Sequence, residues 1–388
     1  MSTQRAEARI DVTAIAANTA ELCRRAGAAD VMAVVKADAY GHGLIPCSRA
    51  AVAGGASWLG TALLSEALDL RAAGVTGPRV LAWLLDLDDR WADAVAANVD
   101  LSVSAPWAVA AAVDGARTAG RPARLHLKLD SGLGRSGSTP ADWADLVDAA
   151  RAAEADGTVV VTGLWSHLAF ADVPGHPTTD LQLAAFQDAI AVAESAGLRP
   201  EVRHLANSAA ALTRPDTRFD LVRTGLPVYG LSPIPDQATP SDLGLRPVMT
   251  LAARLALVKQ VPAGHGVSYL HRYTTSADTT LGLVPLGYAD GIPRAATNVG
   301  PLLAGGARRT VAGTVCMDQF VVDLGPGSAA AVGDEVLLFG PGDAGEPTVQ
   351  DWADALGTIA YEITTRLGPR VPRVFLGASG VSGSQREG

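Results

Sequence analysis

Eight short apolar runs, separated by helical patterns, occupy the first 223 residues of this 388-residue chain and limit its fold more than any other feature. They are Val31–Lys36, Trp58–Thr61, Val80–Leu84, Leu101–Val103, Leu125–Asp130, Val159–His167, Val202–Ala206 and Phe219–Arg223. Alternation of such runs with helices points to a parallel α/β domain, and the count suits a (β/α)8 TIM-type barrel. A doubly wound open sheet is the alternative. The helix before the first run starts at Asp11, a good N-cap, and puts Ile15, Leu22, Cys23 and Ala26 on one face. Another spans about Thr178 to Ala196, with Leu183, Phe186 and Ile190 on one face and Gly197 as a stop.

The texture changes near Ser232. Four prolines between Ser232 and Pro247 mark a linker. Beyond it lie β-like runs at Met249–Val258, Leu281–Leu286, Thr310–Val315, Phe320–Leu324 and Val336–Phe339, with one helical stretch from Val349 to Leu367. The expected organisation is a barrel over residues 1–238 and a mostly β C-terminal domain over 239–378. The first ten or so residues are candidates for packing on that second domain, and 379–388 is expected to be a disordered tail.

Several classes are disfavoured. The net charge of -9, without a basic cluster, argues against nucleic acid. Three widely spaced cysteines, Cys23, Cys47 and Cys316, form neither a disulfide framework nor a metal site. The first nine residues are polar and charged, and no apolar run is long enough to cross a bilayer, so the cytoplasm is the expected compartment and no membrane partner is expected.

Lysine occurs only at Lys36, Lys128 and Lys259, against a background of arginine. A lysine kept in such a chain is a candidate for amine chemistry, which a guanidinium cannot perform. Lys36 ends the first apolar run, where a barrel strand delivers side chains to an active site and where burial disfavours the charged amine. By position alone, a lysine that merely leaves the core is an equal alternative.

The segment Val34-Val35-Lys36-Ala37-Asp38-Ala39-Tyr40-Gly41-His42-Gly43 closely resembles the cofactor-lysine signature of alanine racemases, fold-type III pyridoxal-phosphate enzymes. Further motifs follow in the family's order: His126 to Arg135, Leu164 to Ala169, His204 to Ser208, Arg223 to Leu226, Gly264 to Tyr269, Gly287 to Gly291, Val315 to Gln319, Ala360 to Glu362 and Arg370 to Arg373. The resemblance spans roughly Ile10 to Leu376. It implies a Schiff base between Lys36 and pyridoxal 5'-phosphate. Tyr40, Ser208, Gly225, Leu226 and Tyr361 would bind the phosphate, and Arg223 the pyridine nitrogen. His167 and Asn207 complete the implied cofactor set. Arg135, Met317 and Tyr288 are the implied substrate residues, supported by Asp318 and by Lys128, which matches a lysine carbamylated in some members. A plain Lys128–Asp130 ion pair is the alternative. His42 and His204 are read as structural residues. Leu270 departs from the glycine often found after the tyrosine of this loop.

The resemblance further implies interconversion of L- and D-alanine by two bases, Lys36 and Tyr269, supplying D-alanine for peptidoglycan. It implies a homodimer in which Tyr269, Tyr288 and Met317 serve the partner's site. Rival readings are a broad-specificity amino-acid racemase, a barrel-type pyridoxal-phosphate decarboxylase and a non-enzymatic pyridoxal-phosphate carrier.

Overall fold

The computed structural model describes residues 4–377, so the expected tail at 379–388 lies outside the described residues. The chain forms two compact units. One comprises Ile15–Ala39 and Leu44–Leu245; the other gathers the chain up to Ala14, Tyr40–Gly43 and the chain from Arg246. The boundary thus lies at Leu245/Arg246 rather than at 238, because the proline-rich segment belongs with the first unit.

The first unit is an eight-stranded parallel barrel. Its strands are Asp30–Val34, Trp58–Thr61, Arg79–Ala82, Asp100–Val103, Ala123–Lys128, Val159–Trp165, Val202–His204 and Leu221–Thr224. The first seven pair in succession, and the eighth pairs with the first. The remaining seam is joined by backbone bonds from Asp220 N to Arg203 O (3.1 Å) and from Arg223 N to Ala206 O (3.0 Å). Several expected runs reach further at their C-terminal ends than the strands do. Lys36, Asp130, His167 and Ala206 leave the ladder because that end of a barrel opens into loops.

The period-2 geometry of strands explains the barrel interior. Met32, Trp58, Leu81, Val202 and Leu221 form a buried apolar cluster, with Trp83 packed against it. Polar residues share the inward positions. Arg124, His126 and Lys128 alternate along one strand, and Asp100 lies beside Arg124 on its neighbour. A bulge between Leu125 and His126 brings His126 level with Gly163. No side chain larger than hydrogen fits there, since a Cβ on Gly163 would overlap the His126 ring.

The second unit holds a six-stranded sheet in the order Ala307–Thr310, Pro301–Ala304, Glu335–Phe339, Met249–Arg254, Ala6–Asp11 and Arg373–Leu376. A three-stranded sheet joins Leu257–Val261, Thr279–Val284 and Phe320–Gly325. The run expected at Met249–Val258 is therefore two strands in different sheets, and Val311 contributes only an isolated bridge. The expected helix from Val349 is broken into Val349–Leu356 and Ala360–Thr365, with Gly357 closing the first in a left-handed conformation. Asp11 caps the helix Val12–Ala26, its Oδ1 accepting from Thr13 N (2.9 Å) and Ala14 N (3.1 Å).

Gly163→Ala is expected to lower unfolding stability by about 1–3 kcal/mol through overpacking. Urea titration checks this; an unchanged midpoint and slope would contradict the packing argument.

Candidate active site

Lys36 stands one residue beyond Val35 and opens a turn of unusual hand. Ala37, Asp38, Ala39 and Tyr40 have φ of 53°, 53°, 54° and 56°, so the helix Lys36–Gly41 is left-handed. Each such residue costs roughly 1–2 kcal/mol. Specific bonds hold the turn: Ala37 N to Glu66 Oε1 (2.6 Å), Ala39 N to Val35 O (2.8 Å) and Leu44 N to Asp38 Oδ1 (2.7 Å). Strain maintained at one point in this way is characteristic of functional sites. The Lys36 amine is half-buried, 5.9 Å from the Trp83 ring centroid. Burial lowers its pKa; the Arg135 charge adds to that effect, and Glu66 opposes it.

Arg223, 4% exposed, organises the rest of the barrel's C-terminal end. It donates to the carbonyls of Ser166 (2.8 Å), His204 (3.0 Å) and Leu205 (3.1 Å), and to Nδ1 of His204 (3.2 Å) and His167 (3.3 Å). None of these partners is a carboxylate, and burial pushes Arg223 down to about 9. It remains charged near neutral pH. Its charge, with those of Arg135, Lys128 and Lys36, reinforces burial in holding His167 well below the usual histidine value.

Trp165 lies against two cations, with Lys128 Nζ 4.3 Å and Arg223 Cζ 4.8 Å from its ring, and it stacks on His204. Lys128 donates to Ser136 Oγ (2.5 Å). Asp130 does not hydrogen-bond to Lys128; its carboxylate accepts from the backbone of Gly132, Leu133 and Gly134. The ion-pair alternative therefore gives way to a loop-forming role for Asp130. Gln182 ties the loops on either side, donating to Ser131 Oγ (3.2 Å) and His167 O (3.1 Å).

Where the last two strands end, Gly225 N donates to Ser208 Oγ (2.9 Å), while Asn207 caps the short helix Ser208–Thr213. Leu226 begins the following 3-10 turn. Lys36, Lys128, Arg135, His167, Asn207, Ser208, Arg223, Gly225 and Leu226 thus all belong to the barrel unit. Glu66, Trp165 and Gln182 were missed by sequence reasoning, since each acts through contacts between segments distant in sequence.

The other candidates belong to the second unit. Tyr40 and Tyr361 face each other with ring centroids 5.8 Å apart. Burial, then Tyr361, raises the pKa of the Tyr40 phenol. Tyr269, Tyr288 and Met317 are 69%, 44% and 53% exposed. Their loops are bonded together: Tyr288 N to Cys316 O (3.0 Å), Ala289 N to Met317 O (2.9 Å) and Thr314 Oγ1 to Tyr269 O (2.9 Å). Asp318 accepts from Arg370 (2.8 Å). Leu270 has φ 60°, a conformation that glycine adopts without strain.

The barrel with its amine-bearing end and the mostly β unit define a two-domain barrel enzyme. Family models for the alanine racemase N-terminal and C-terminal domains match residues 10–233 and 248–375. An alanine racemase of Frankia casuarinae is 62% identical over 367 residues, 95% of each chain, and one of Streptomyces coelicolor is 62% identical over 96% of each. The crystal structure of alanine racemase from Streptomyces lavendulae superposes with a TM-score of 0.95 at 58% identity, covering 97% of this chain and 98% of that one. The chain belongs to the alanine racemase family, a family of isomerases.

Lys128 supplies a prediction. Burial first, then Arg223 and Arg135, lowers it to about 7 from 10.5; Asp130 acts in the opposite direction. Between these values the unfolded chain binds the extra proton, so this group makes stability rise with pH. In carbonate-free buffer, Lys128→Met should gain most in melting temperature over the parent near pH 6, and the gain should shrink toward pH 10. A pH-independent difference would contradict the shift.

Proposed function

We propose that this chain interconverts L- and D-alanine with pyridoxal 5'-phosphate held at Lys36. The observation that carries the reading is a half-buried amine whose pKa is lowered by burial and by the Arg135 guanidinium, at the loop end of a barrel. This donor set fits an anionic aldehyde. A neutral amine adds to a carbonyl, hydroxyl and backbone N–H groups suit a phosphate, and Arg223 presents fixed donors. When bound, the cofactor supplies an aldehyde for linkage and an electron-withdrawing ring that acidifies the substrate's Cα–H.

The chain's own groups divide the remaining work. Lys36 holds and returns a proton on one face of Cα, and Tyr269 of a second copy does so on the other. Two bases are needed because one fixed base would restore the starting configuration. Arg135 receives the substrate carboxylate through its forked donors, aided by the Met317 backbone. Ser208, Gly225, Leu226, Tyr40 and Tyr361 hold the phosphate, with Asn207 fixing the loop beside Ser208. Arg223 stays protonated and would present a donor to the cofactor's ring nitrogen, keeping it unprotonated. Its bond to His167 Nδ1 leaves the His167 proton on Nε2, available to a phenolate. Tyr288 and Met317 crowd the entrance and favour a small side chain.

The working form we assign is a homodimer with two shared sites, supported by the exposure of Tyr269, Tyr288 and Met317. The compartment we assign is the cytoplasm, which suits the free thiols Cys23, Cys47 and Cys316. The D-alanine formed would feed peptidoglycan synthesis.

Incubation with L-alanine should give near-equal amounts of the two enantiomers by chiral chromatography. Carbon dioxide release without D-alanine would favour a decarboxylase. Dissociating and remixing equal amounts of Lys36→Ala and Tyr269→Phe chains should restore about a quarter of parental activity, since half the dimers regain one of two sites. No recovery despite verified mixing would contradict shared sites.

A further inference from the structure

The barrel interior contains a polar chain that the proposed reaction does not itself use. Arg223 NH1 lies 3.2 Å from His204 Nδ1, His204 Nε2 lies 2.9 Å from His126 Nδ1, and His126 Nε2 lies 3.3 Å from Asp100 Oδ2. All three side chains below Arg223 have 0% exposure. At the far end Asp100 accepts from Arg79 (2.6 Å) and from Arg124. The series thus runs through the barrel from the strand starts to the strand ends.

Its polarity follows from the two ends. A guanidinium can only donate, so His204 Nδ1 must accept and the His204 proton lies on Nε2. His126 Nδ1 must then accept, and its own proton lies on Nε2. That proton meets a carboxylate, which can only accept. A second proton on either ring would set two donors face to face in a site closed to water. Both imidazoles are therefore neutral, and every donor in the series points toward Asp100.

We infer that Asp100 and His126 are positioning residues for Arg223: the carboxylate, acting with the guanidinium at the other end, holds both histidine tautomers and so keeps the His204 lone pair aimed at the guanidinium. This inference rests on the reading of Arg223 as the cofactor-facing arginine. Asp100 is the first carboxylate reached from Arg223 along this series of side-chain hydrogen bonds. Burial opposes ionisation of Asp100, but the His126 hydrogen bond and the charges of Arg124 and Arg79 outweigh it and hold its carboxyl below the usual range. Burial likewise keeps His126 and His204 below the ordinary histidine value.

The test is 15N NMR of histidine-labelled full-length protein without added cofactor, with His126 and His204 assigned by substitution. The parent should show both as neutral Nε2–H tautomers. In Asp100→Asn the amide can turn its NH2 toward His126 Nε2 and oppose the polarity imposed by Arg223, so both histidines should become tautomer mixtures. After loading with pyridoxal 5'-phosphate, kcat should fall by about ten-fold with little change in KM. Arg124→Gln removes an ion pair but leaves the series intact; it should keep the parental tautomers and kcat even if its melting temperature falls. His126→Gln, which offers one donor and one acceptor, should retain more activity than His126→Phe. A parental His204 protonated on Nδ1 or on both nitrogens would overturn the inference, whatever the variants do. So would parental tautomers and kcat in Asp100→Asn. Because the tautomers are read without turnover, a parent protein that fails to racemise alanine would sink the functional reading and leave this result standing.

Discussion

The buried guanidinium of Arg223 sets the terms for the barrel's C-terminal end. It gathers three carbonyls from the ends of the sixth and seventh strands and binds two histidine nitrogens. The same side chain thereby ties strand ends beside the barrel's last seam and fixes which nitrogen of His167 and His204 carries a lone pair. Leaving such a group unpaired would cost several kcal/mol, so the surrounding acceptors are as much a part of the fold as the apolar core.

The electrostatics of the site follow from that arrangement. Lys36, Lys128, Arg135 and Arg223 act on one another or on His167, and neutral acceptors bind the buried pair Lys128 and Arg223. Such a concentration of positive charge lowers the cost of holding amines neutral and attracts anions. Lys128 is lowered too, but it is 4% exposed and bonded to Ser136, whereas Lys36 is only half-buried. Access distinguishes the two amines. The left-handed turn after Lys36 is the local cost of presenting it there, and Glu66 holds that turn in place.

Much of this was legible in the residues. The eight barrel strands announce themselves because strands covered on both faces are largely apolar, and Lys36 stands out because lysine is so rare in this chain. The strand Ala6–Asp11 escaped because half of it is charged, and Pro301–Ala304 and Arg373–Leu376 because each is only 4 residues long. Gly357 breaks a stretch that reads as one helix. The Asp100–His126–His204 series was missed for a different reason. Each residue looks like an isolated polar interruption in or beside an apolar run, and only barrel closure brings His126 and His204 together. Polar residues at inward positions of several barrel strands were the clue available in the sequence.

The proposed chemistry requires that burial and the neighbouring cation Arg135 make Lys36 the amine that captures an aldehyde. Borohydride reduction of the protein mixed with pyridoxal 5'-phosphate, followed by peptide mass mapping, tests this directly. One reduced adduct per chain on the peptide carrying Lys36 is the predicted result; labelling confined to Lys128 or Lys259, or no stable adduct, would contradict it.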